Sequence, residues 1–300
     1  MNDRIALLLP SRGRPDKLRR AVESVSATAA RPGDVVVVIG VDDDDEQTLN
    51  LVRTYRPNVA VIWSVGPREL TLGRLNNRLA TLDHGCDILS VFADDNVMAT
   101  QDWDNHFRFA CSLMPKGYGT AWAIDGVYHH TDRCTAPIIT RSMMNRLGFF
   151  LPPWFPFWFG DIWLEEMGTY VACRLPIAAR VDLPDGRGAT QNIRDLAFWG
   201  TFFQETRRLR LALANQMIDE MYEGKPQLQI SLKFNLQALE MYYAQRAAPL
   251  ADPAAAAQAE RFQLQAAMAE NAPVEKGEPS QRYLGARREA EAFLATLRAR

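Results

Sequence analysis

The first hundred residues alternate continuous apolar runs with amphipathic segments. The apolar runs cover residues 5–9, 35–41, 59–65 and 87–92. The run over 35–41 is continuous and β-branched, which is typical of a parallel strand covered on both faces. Segments with helical periodicity lie between them, over residues 16–30, 46–55 and 70–82. This alternation predicts a doubly wound α/β sheet.

The pattern changes after residue 100. It predicts helices over 103–113, 141–147 and 162–173, and strands over 119–124 and 136–140. Residues 192–223 and the Ala-, Gln- and Glu-rich chain from about 230 onward also have helical periodicity. We expect these late helices to pack on the core or on a second subunit, so that a homo-oligomer is one possible arrangement.

Composition narrows the class of protein. The 300 residues are 47% hydrophobic and 23% charged, with a net charge of −2, which does not indicate a nucleic-acid-binding or membrane-surface protein. No apolar run approaches the roughly 20 residues of a membrane span, and residues 5–9 are too short for a signal-peptide core. The four cysteines form no C-x-x-C pair. We therefore expect reduced thiols in a cytoplasmic protein.

Two acids and an amide, Asp94, Asp95 and Asn96, follow the fourth apolar run directly. Buried and unpaired, such carboxylates would be costly. A divalent cation would offset that cost, since hard oxygen ligands suit Mg²⁺ or Mn²⁺, which also hold substrate phosphates. In open α/β sheets, ligands bind just outside the carboxyl ends of the strands. The alternative is a loop of solvated acids that caps the next helix.

The turn after the first strand, residues 10–15, has the sequence PSRGRP. Backbone amides at the following helix start, together with Pro10, Ser11, Arg12 and Arg14, could contact a nucleotide base or phosphate. The alternative is a Pro/Gly turn with solvated arginines.

Two further side chains could take part in nucleotide binding. Asp42 directly follows the second strand, where an acid can accept hydrogen bonds from a base or a ribose hydroxyl. Arg74 lies early in the third predicted helix and could reach a diphosphate. A solvated basic helix face is an equally good interpretation of Arg74.

Together these features resemble the GT-A fold glycosyltransferases, and most closely the inverting, family-2-like group. The resemblance rests on the PSRGRP turn, the acid after the second strand and the acid cluster after the fourth, and it covers about residues 4–170. It implies a Rossmann-like, mostly parallel sheet flanked by helices, with a helical C-terminal extension. The expected domains are a glycosyltransferase domain over 1–190, divided into a nucleotide-binding half, 1–100, and an acceptor half, 101–190, and an extension over 191–300.

In that family the acid cluster is the DXD motif, which binds a divalent metal and the donor diphosphate. The first acid of the motif falls on Ala93 here. The resemblance therefore implies Asp95 as the best metal ligand, with Asp94 on ribose or metal-bound water and Asn96 as a further ligand. It also implies a nucleotide-sugar donor, by default a UDP-sugar, and Mn²⁺ or Mg²⁺ as cofactor.

Asp161, after Gly160, resembles the acidic catalytic motif of the family. Inverting transfer needs one base to take the proton of the acceptor hydroxyl, and Asp161 fits that role. The alternative is a helix N-cap, although the reciprocal capping residue is absent because position 164 is Leu. Glu165 is a secondary candidate near the acceptor, and Asp125 is a candidate for the donor-sugar site.

Residues 149–159 are crowded with aromatics and prolines, which forbid a regular helix. Sugar rings pack on aromatic faces, so Trp154 and Trp158 are candidates for a sugar platform. The alternative is a loop that folds into the core or into a subunit contact.

Two other functions compete with transfer. A sugar-nucleotide pyrophosphorylase would need a Gly-rich loop after the first strand, and only Gly13 lies there. A non-catalytic nucleotide-sugar-binding or scaffold protein with a degenerate domain gains some support from Ala93. Nucleotide binding without transfer would favour this second alternative.

Overall fold

A computed structural model describes residues 2–82, 84–125, 134, 136–156, 159–184, 196–251 and 281–299. Eight strands lie in these ranges: β1 Ile5–Ser11, β2 Val35–Asp42, β3 Ala60–Gly66, β4 Ile88–Val91, β5 Val97–Met98, β6 Thr120–Asp125, β7 Pro137–Thr140 and β8 Arg174–Asp182. The helices are α1 Pro15–Thr28, α2 Glu46–Thr54, α3 Leu72–Thr81, α4 Trp103–Ser112, α5 Arg141–Leu147, α6 Gly160–Tyr170, α7 Leu196–Glu205, α8 Arg207–Met221, α9 Pro226–Ala251 and α10 Gln281–Arg298.

All eight strands form one sheet in the order β3-β2-β1-β4-β7-β6-β8-β5. The first four of that order run parallel, β7 is antiparallel to both β4 and β6, and β6 pairs in parallel with β8. The carboxyl ends of β1, β2, β3, β4 and β6 therefore lie along one edge of the sheet. This confirms the mixed, mostly parallel α/β architecture flanked by helices.

Central strands β1 and β2 owe their position to their apolar character. Every residue from Ile5 to Leu9 is completely buried, and β2 is buried along its whole length. Strand β3 is half-exposed because it is the edge strand beyond β2. The burial of β1 and β2 fixes their register, since a slip of one residue would exchange the residues that face the two helical layers.

Residues that favour a helix start are found where α1, α2 and α3 begin, just after the carboxyl edge of the sheet. Pro15 occupies the first turn of α1, where its missing N–H costs nothing. The Asp45 side chain caps α2 by accepting from the Thr48 backbone N–H, and the Thr71 hydroxyl caps α3. Each helix therefore begins within a few residues of a strand end, which keeps the connecting loops short.

The structure differs from the sequence prediction in the second half. Strand β8 was not predicted, because Arg174–Asp182 contains Pro176 and alternates between buried and exposed residues without a continuous apolar run. Helix α6 spans Gly160–Tyr170, so the predicted helix 162–173 begins and ends too late. A left-handed residue, Ala172 (φ 55°), ends that segment before Cys173 leads into β8.

Helix α10 confirms the predicted C-terminal helix and packs on the core through one buried face, formed by Tyr283, Ala286, Ala290 and Leu294. The predicted helix breaks at Pro253 and at residues 277–279 lie outside the described residues. All four cysteines are buried free thiols. None of the helices in the described ranges has both the length and the apolarity to cross a membrane.

Candidate functional site

The end of β1 contacts the acids that follow β4. Ser11, the last residue of β1, donates from Oγ to Asp94 Oδ2 at 2.9 Å. Pro10 pairs in register with Gly40 of β2, one position before. Strands β1 and β4 are parallel neighbours. The turn after β1 and the acids after β4 therefore meet at the carboxyl edge of the sheet, as the sequence predicts.

Arg14 bridges the two adjacent carboxylates. Its Nη2 lies 2.7 Å from Asp94 Oδ1, and its Nη1 donates to Asp95 Oδ2 at 3.2 Å. Asp94 Oδ1 has no directed hydrogen bond despite its short distance to the guanidinium, so this contact is mainly electrostatic. Arg14 thus forms ion pairs with both acids, and the side chain of Asp94 is 0% exposed.

Burial dominates the electrostatics of Asp94. Loss of solvent raises the pKa of this carboxyl, while the Arg14 charge and the Ser11 hydrogen bond oppose the rise. The negative charge of Asp95 raises the pKa of Asp94 further. The charge of Lys17 also lowers the pKa of Asp94, but burial outweighs these opposing effects. A cation bound at the acid pair would stabilise the ionised form of Asp94.

A second acidic and basic cluster lies at the end of β2. Arg12 Nη1 donates to Asp42 Oδ2 at 2.9 Å, and Arg12 also forms a two-pronged ion pair with Asp44. The Asp42 side chain is only 8% exposed. Ser11 and Arg12 are consecutive, so one turn links Asp94 on one side to Asp42 on the other.

The sequence analysis did not single out two residues of this edge. Asp45 accepts from the Gly13 backbone N–H at 2.7 Å and so holds the PSRGRP turn against the start of α2. Arg68, two residues after β3, has its Nε 3.8 Å from Asp42 Oδ2. Like Asp42, Arg68 is a polar residue close to the end of a strand. The preceding Gly66 and Pro67, however, suggest only a turn in the sequence.

Arg74 is not brought to the acids. It lies in the first turn of α3, and its guanidinium forms an ion pair with Glu289 of α10. Its predicted contact with a diphosphate remains a prediction.

Asp161 lies in the first turn of α6, after Phe159, which is the N-cap and has a left-handed backbone (φ 72°). Its Oδ1 accepts from the Ile162 N–H at 2.9 Å. Further along α6, the Leu164 carbonyl accepts from Thr120 Oγ1 at the start of β6. A tight turn, closed by the Cys173 N–H and the Gly168 carbonyl, then reverses the chain into β8, which is parallel to β6. Helix α6 therefore runs in the opposite direction to both strands. The Asp161 end of α6 therefore lies toward the carboxyl end of β6.

That end belongs to the same edge as Asp94. Strand β7 separates β6 from β4 in the sheet, so the two carboxyl ends are about 10 Å apart at ordinary strand spacing. Burial, and then the negative charges of Asp161 and Glu165, raise the pKa of the Cys134 thiol, just before β7. Asp161 therefore lies toward the edge of the sheet at which β7 begins.

Glu165 is held by two donors. Arg174 Nη2 donates to Oε1 at 3.0 Å, and the Cys134 backbone N–H donates to Oε2 at 3.2 Å. The Arg174 guanidinium also stacks over the Trp122 ring at 4.6 Å. These contacts fix α6 against β6 and β8, one turn beyond Asp161.

Most of the described aromatic residues in 149–159 pack against other parts of the protein. Phe150, Phe155 and Phe159 are buried. Trp154 stacks on Phe293 of α10 with ring centroids 4.1 Å apart. The predicted sugar-binding role of Trp154 remains a prediction, whereas Trp158 and the side chain of Asp125 lie outside the described residues.

The side chains of Asp94, Asp95 and Asn96 are the candidate ligands for a divalent metal. Within the described ranges, no three His, Cys, Asp or Glu side chains cluster as metal ligands. Two carboxylates and the Asn96 amide nevertheless supply hard oxygen donors, and Asp94 Oδ1 is a buried oxygen without a hydrogen bond. This set fits Mn²⁺ or Mg²⁺ in chemistry, with the remaining ligands left to substrate phosphate and water.

Two solved structures have the same fold with little sequence similarity. S. aureus TarS 1-349 in complex with UDP-GlcNAc has a TM-score of 0.52 at 12% identity, over 73% of this chain and 71% of that chain. The mannosyltransferase PcManGT from Pyrobaculum calidifontis, in complex with GDP-Man and Mn²⁺, has a TM-score of 0.53 at 13% identity, over 99% of this chain and 86% of that chain. The chain has a glycosyltransferase fold. No protein-family model and no curated protein matches the sequence.

Proposed function

We propose that this protein is an inverting glycosyltransferase that uses a nucleotide-sugar donor. The observation that carries the proposal is the edge cluster of Asp42, Asp94 and Asp95 with Arg12 and Arg14, in a chain with a glycosyltransferase fold. TarS and PcManGT were solved with UDP-GlcNAc and with GDP-Man, respectively, which supports a nucleotide sugar as the ligand class. A fold hosts many functions, so the proposal rests on the cluster.

Each group has a task in the proposed reaction. Asp42 accepts hydrogen bonds from the nucleoside, and Asp94, Asp95 and Asn96 would hold a divalent metal. When bound, that metal would supply positive charge where the leaving diphosphate gains negative charge. Arg14 pairs with both acids and supplies positive charge near the donor phosphates.

The transfer itself needs one base. The acceptor hydroxyl oxygen attacks the anomeric carbon and forms the new glycosidic bond, while the bond from that carbon to the phosphate oxygen breaks. The electron pair of the broken bond leaves with the nucleoside diphosphate, and the hydroxyl proton passes to the Asp161 carboxylate. Attack opposite the leaving group inverts the anomeric carbon.

The first experiment is thermal unfolding with UDP, GDP, dTDP and CDP, each with and without Mn²⁺. A nucleotide present at a hundred times its Kd adds about 2.7 kcal/mol, which is roughly 5–10 °C for a protein of this size. We expect one nucleotide to raise Tm in a Mn²⁺-dependent manner, and Asp95→Asn to abolish the shift. Asp219→Asn, an exposed acid on α8, is the matched control and should keep it.

Turnover separates transfer from binding. We expect slow hydrolysis of the matching nucleotide sugar, with water as acceptor, and a loss of about 10²–10⁴-fold in Asp161→Asn with nucleotide affinity unchanged. Binding without any release of nucleoside diphosphate would instead identify a non-catalytic nucleotide-sugar-binding protein. No Tm shift with any nucleotide would refute both functions.

A further inference from the structure

Helix α10 packs against the loop between β3 and α3. In its first turn, Arg282 Nε donates to the Leu70 carbonyl oxygen at 3.0 Å. One turn later, Gly285 approaches the Leu70 side chain so closely that a Cβ would lie 3.1 Å from Leu70 Cδ2. Another turn on, Glu289 forms the ion pair with Arg74. Three successive turns of α10 therefore contact this loop and the start of α3.

The same loop begins beside Asp42. Gly66, the last residue of β3, pairs in register with Asp42, and its carbonyl accepts from the Asp43 N–H at 2.9 Å. Arg68 then approaches Asp42 Oδ2 at 3.8 Å. Arg282, which contacts Leu70 in this loop, thus lies at the margin of the carboxyl edge, on the side where β2 and β3 end.

Arg282 differs from the other two arginines at this margin. Arg12 forms ion pairs with Asp42 and Asp44, and Arg68 lies within ion-pair distance of Asp42. Within the described part of the chain, Arg282 forms no ion pair with a carboxylate. Burial lowers the pKa of Arg282, as do the charges of Arg68 and Arg12, while Asp42 and Glu69 oppose them.

A half-buried guanidinium without a carboxylate partner is costly unless another acceptor compensates it. Arginine carries five donors in a planar fork, and the Leu70 carbonyl uses one of them. The oxygens of a nucleotide would offset the cost, since they accept charge-assisted hydrogen bonds.

We propose that Arg282 and Arg68 bind acceptor oxygens of the donor nucleotide, so that α10 forms one wall of the donor site. This inference rests on the proposed function. It assigns a binding role to a residue that lies 214 positions after Arg68 in the sequence. Arg74 and Glu289 then serve to position α10 against α3.

The experiment is isothermal titration of the full chain with the nucleoside diphosphate that stabilises the wild type, at one fixed Mn²⁺ concentration. We expect Arg282→Gln and Arg68→Gln each to weaken binding by about tenfold or more, the usual effect of losing a hydrogen bond to a charged group. Arg288→Gln, an exposed arginine on the same helix, should bind as the wild type does.

Shorter ligands distinguish the two sources of acceptor oxygen. If the arginines contact phosphate, the variants lose affinity for the diphosphate but not for the free nucleoside. If they contact carbonyl oxygens of the base, they lose affinity for both. Either result supports the wall formed by α10.

The inference fails if Arg282→Gln and Arg68→Gln bind the diphosphate within twofold of the wild type, and the proposed function then stands. A wild type that binds no nucleotide overturns both. If Arg282→Gln lowers the Tm of the free protein and so loosens α10, Arg68→Gln decides. Arg68 has a half-exposed side chain and lies outside α10, in the loop after β3.

Discussion

The ion pair between Glu166 and Arg210 gives the most decisive stability prediction. Glu166 on α6 accepts from Arg210 Nε of α8 at 2.6 Å, and the two side chains are 1% and 0% exposed. The remaining guanidinium nitrogens donate to Thr206 Oγ1 at 2.9 Å and to the Phe203 carbonyl at 2.8 Å. Burial lowers the pKa of Arg210, and Glu166 opposes that effect.

Glu166→Gln removes the negative charge and keeps the shape. Arg210 then remains buried with only neutral acceptors, and breaking such a pair costs roughly 3–5 kcal/mol. We expect the lower half of that range, since the Gln amide oxygen can still accept from Arg210. At about 2–4 °C per kcal/mol, Tm should fall by roughly 6 °C or more.

The assay is urea unfolding at pH 7, followed by circular dichroism and checked by calorimetry. Glu165→Gln on the same helix is the matched control. Its partner Arg174 has a side chain that is 30% exposed, so water can solvate the cation that Glu165→Gln leaves, and the loss should be smaller than in Glu166→Gln.

A double variant tests the physical reason. Glu166→Leu with Arg210→Met replaces the pair by apolar side chains, which is often neutral or stabilising. We expect it to be more stable than either single variant by about 2 kcal/mol or more. The reasoning is refuted if Glu166→Gln stays within about 0.5 kcal/mol of the wild type, or if the double variant is no more stable than the singles.

Two further predictions concern pH and backbone packing. Burial raises the pKa of Asp104, but hydrogen bonds from Arg108 and two backbone amides outweigh it and lower the pKa below 3.8. Its contribution to stability is therefore present at neutral pH and lost as pH falls through the folded-state pKa, so urea unfolding of Asp104→Asn should show lower stability at pH 7 and a flatter acid limb below about pH 5. A Cβ at Gly73 would lie 2.2 Å from the Pro152 carbonyl oxygen, whereas one at Gly33 meets nothing within 4 Å. Calorimetry should show Gly73→Ala destabilised by about 1–3 kcal/mol or more and Gly33→Ala close to the wild type; equal Tm values would contradict the packing.

The sheet and its carboxyl edge could be predicted because their signals are local. Each early strand is a continuous apolar run, and the strand bounds agree with the prediction within about two residues for β1 and β2. Parallel pairing then puts Ser11, Asp42 and Asp94 at one edge without further information. The contact of Ser11 with Asp94 follows from topology once the strands are known.

The rest of the site depends on contacts between distant parts of the chain. As a sequence, the aromatic run suits sugar binding and packing equally well. The stacking of Trp154 on Phe293 joins distant parts of the chain and could be found only in the structure. Arg74 likewise suits a phosphate or Glu289. Arg282 carries no signal of its own, since an arginine in a C-terminal helix is ordinarily solvated.

The ion pair between Arg74 and Glu289 also orders events during synthesis. Its partners are 215 residues apart, and a ribosome adds about 5–20 residues per second, so α10 follows α3 by roughly 10–40 s. During that interval the nascent chain can pair β1, β2 and β4, but the side of Trp154 that stacks on Phe293 stays uncovered. The emerging protein thus has an exposed apolar surface where a chaperone can bind until α10 has been synthesised.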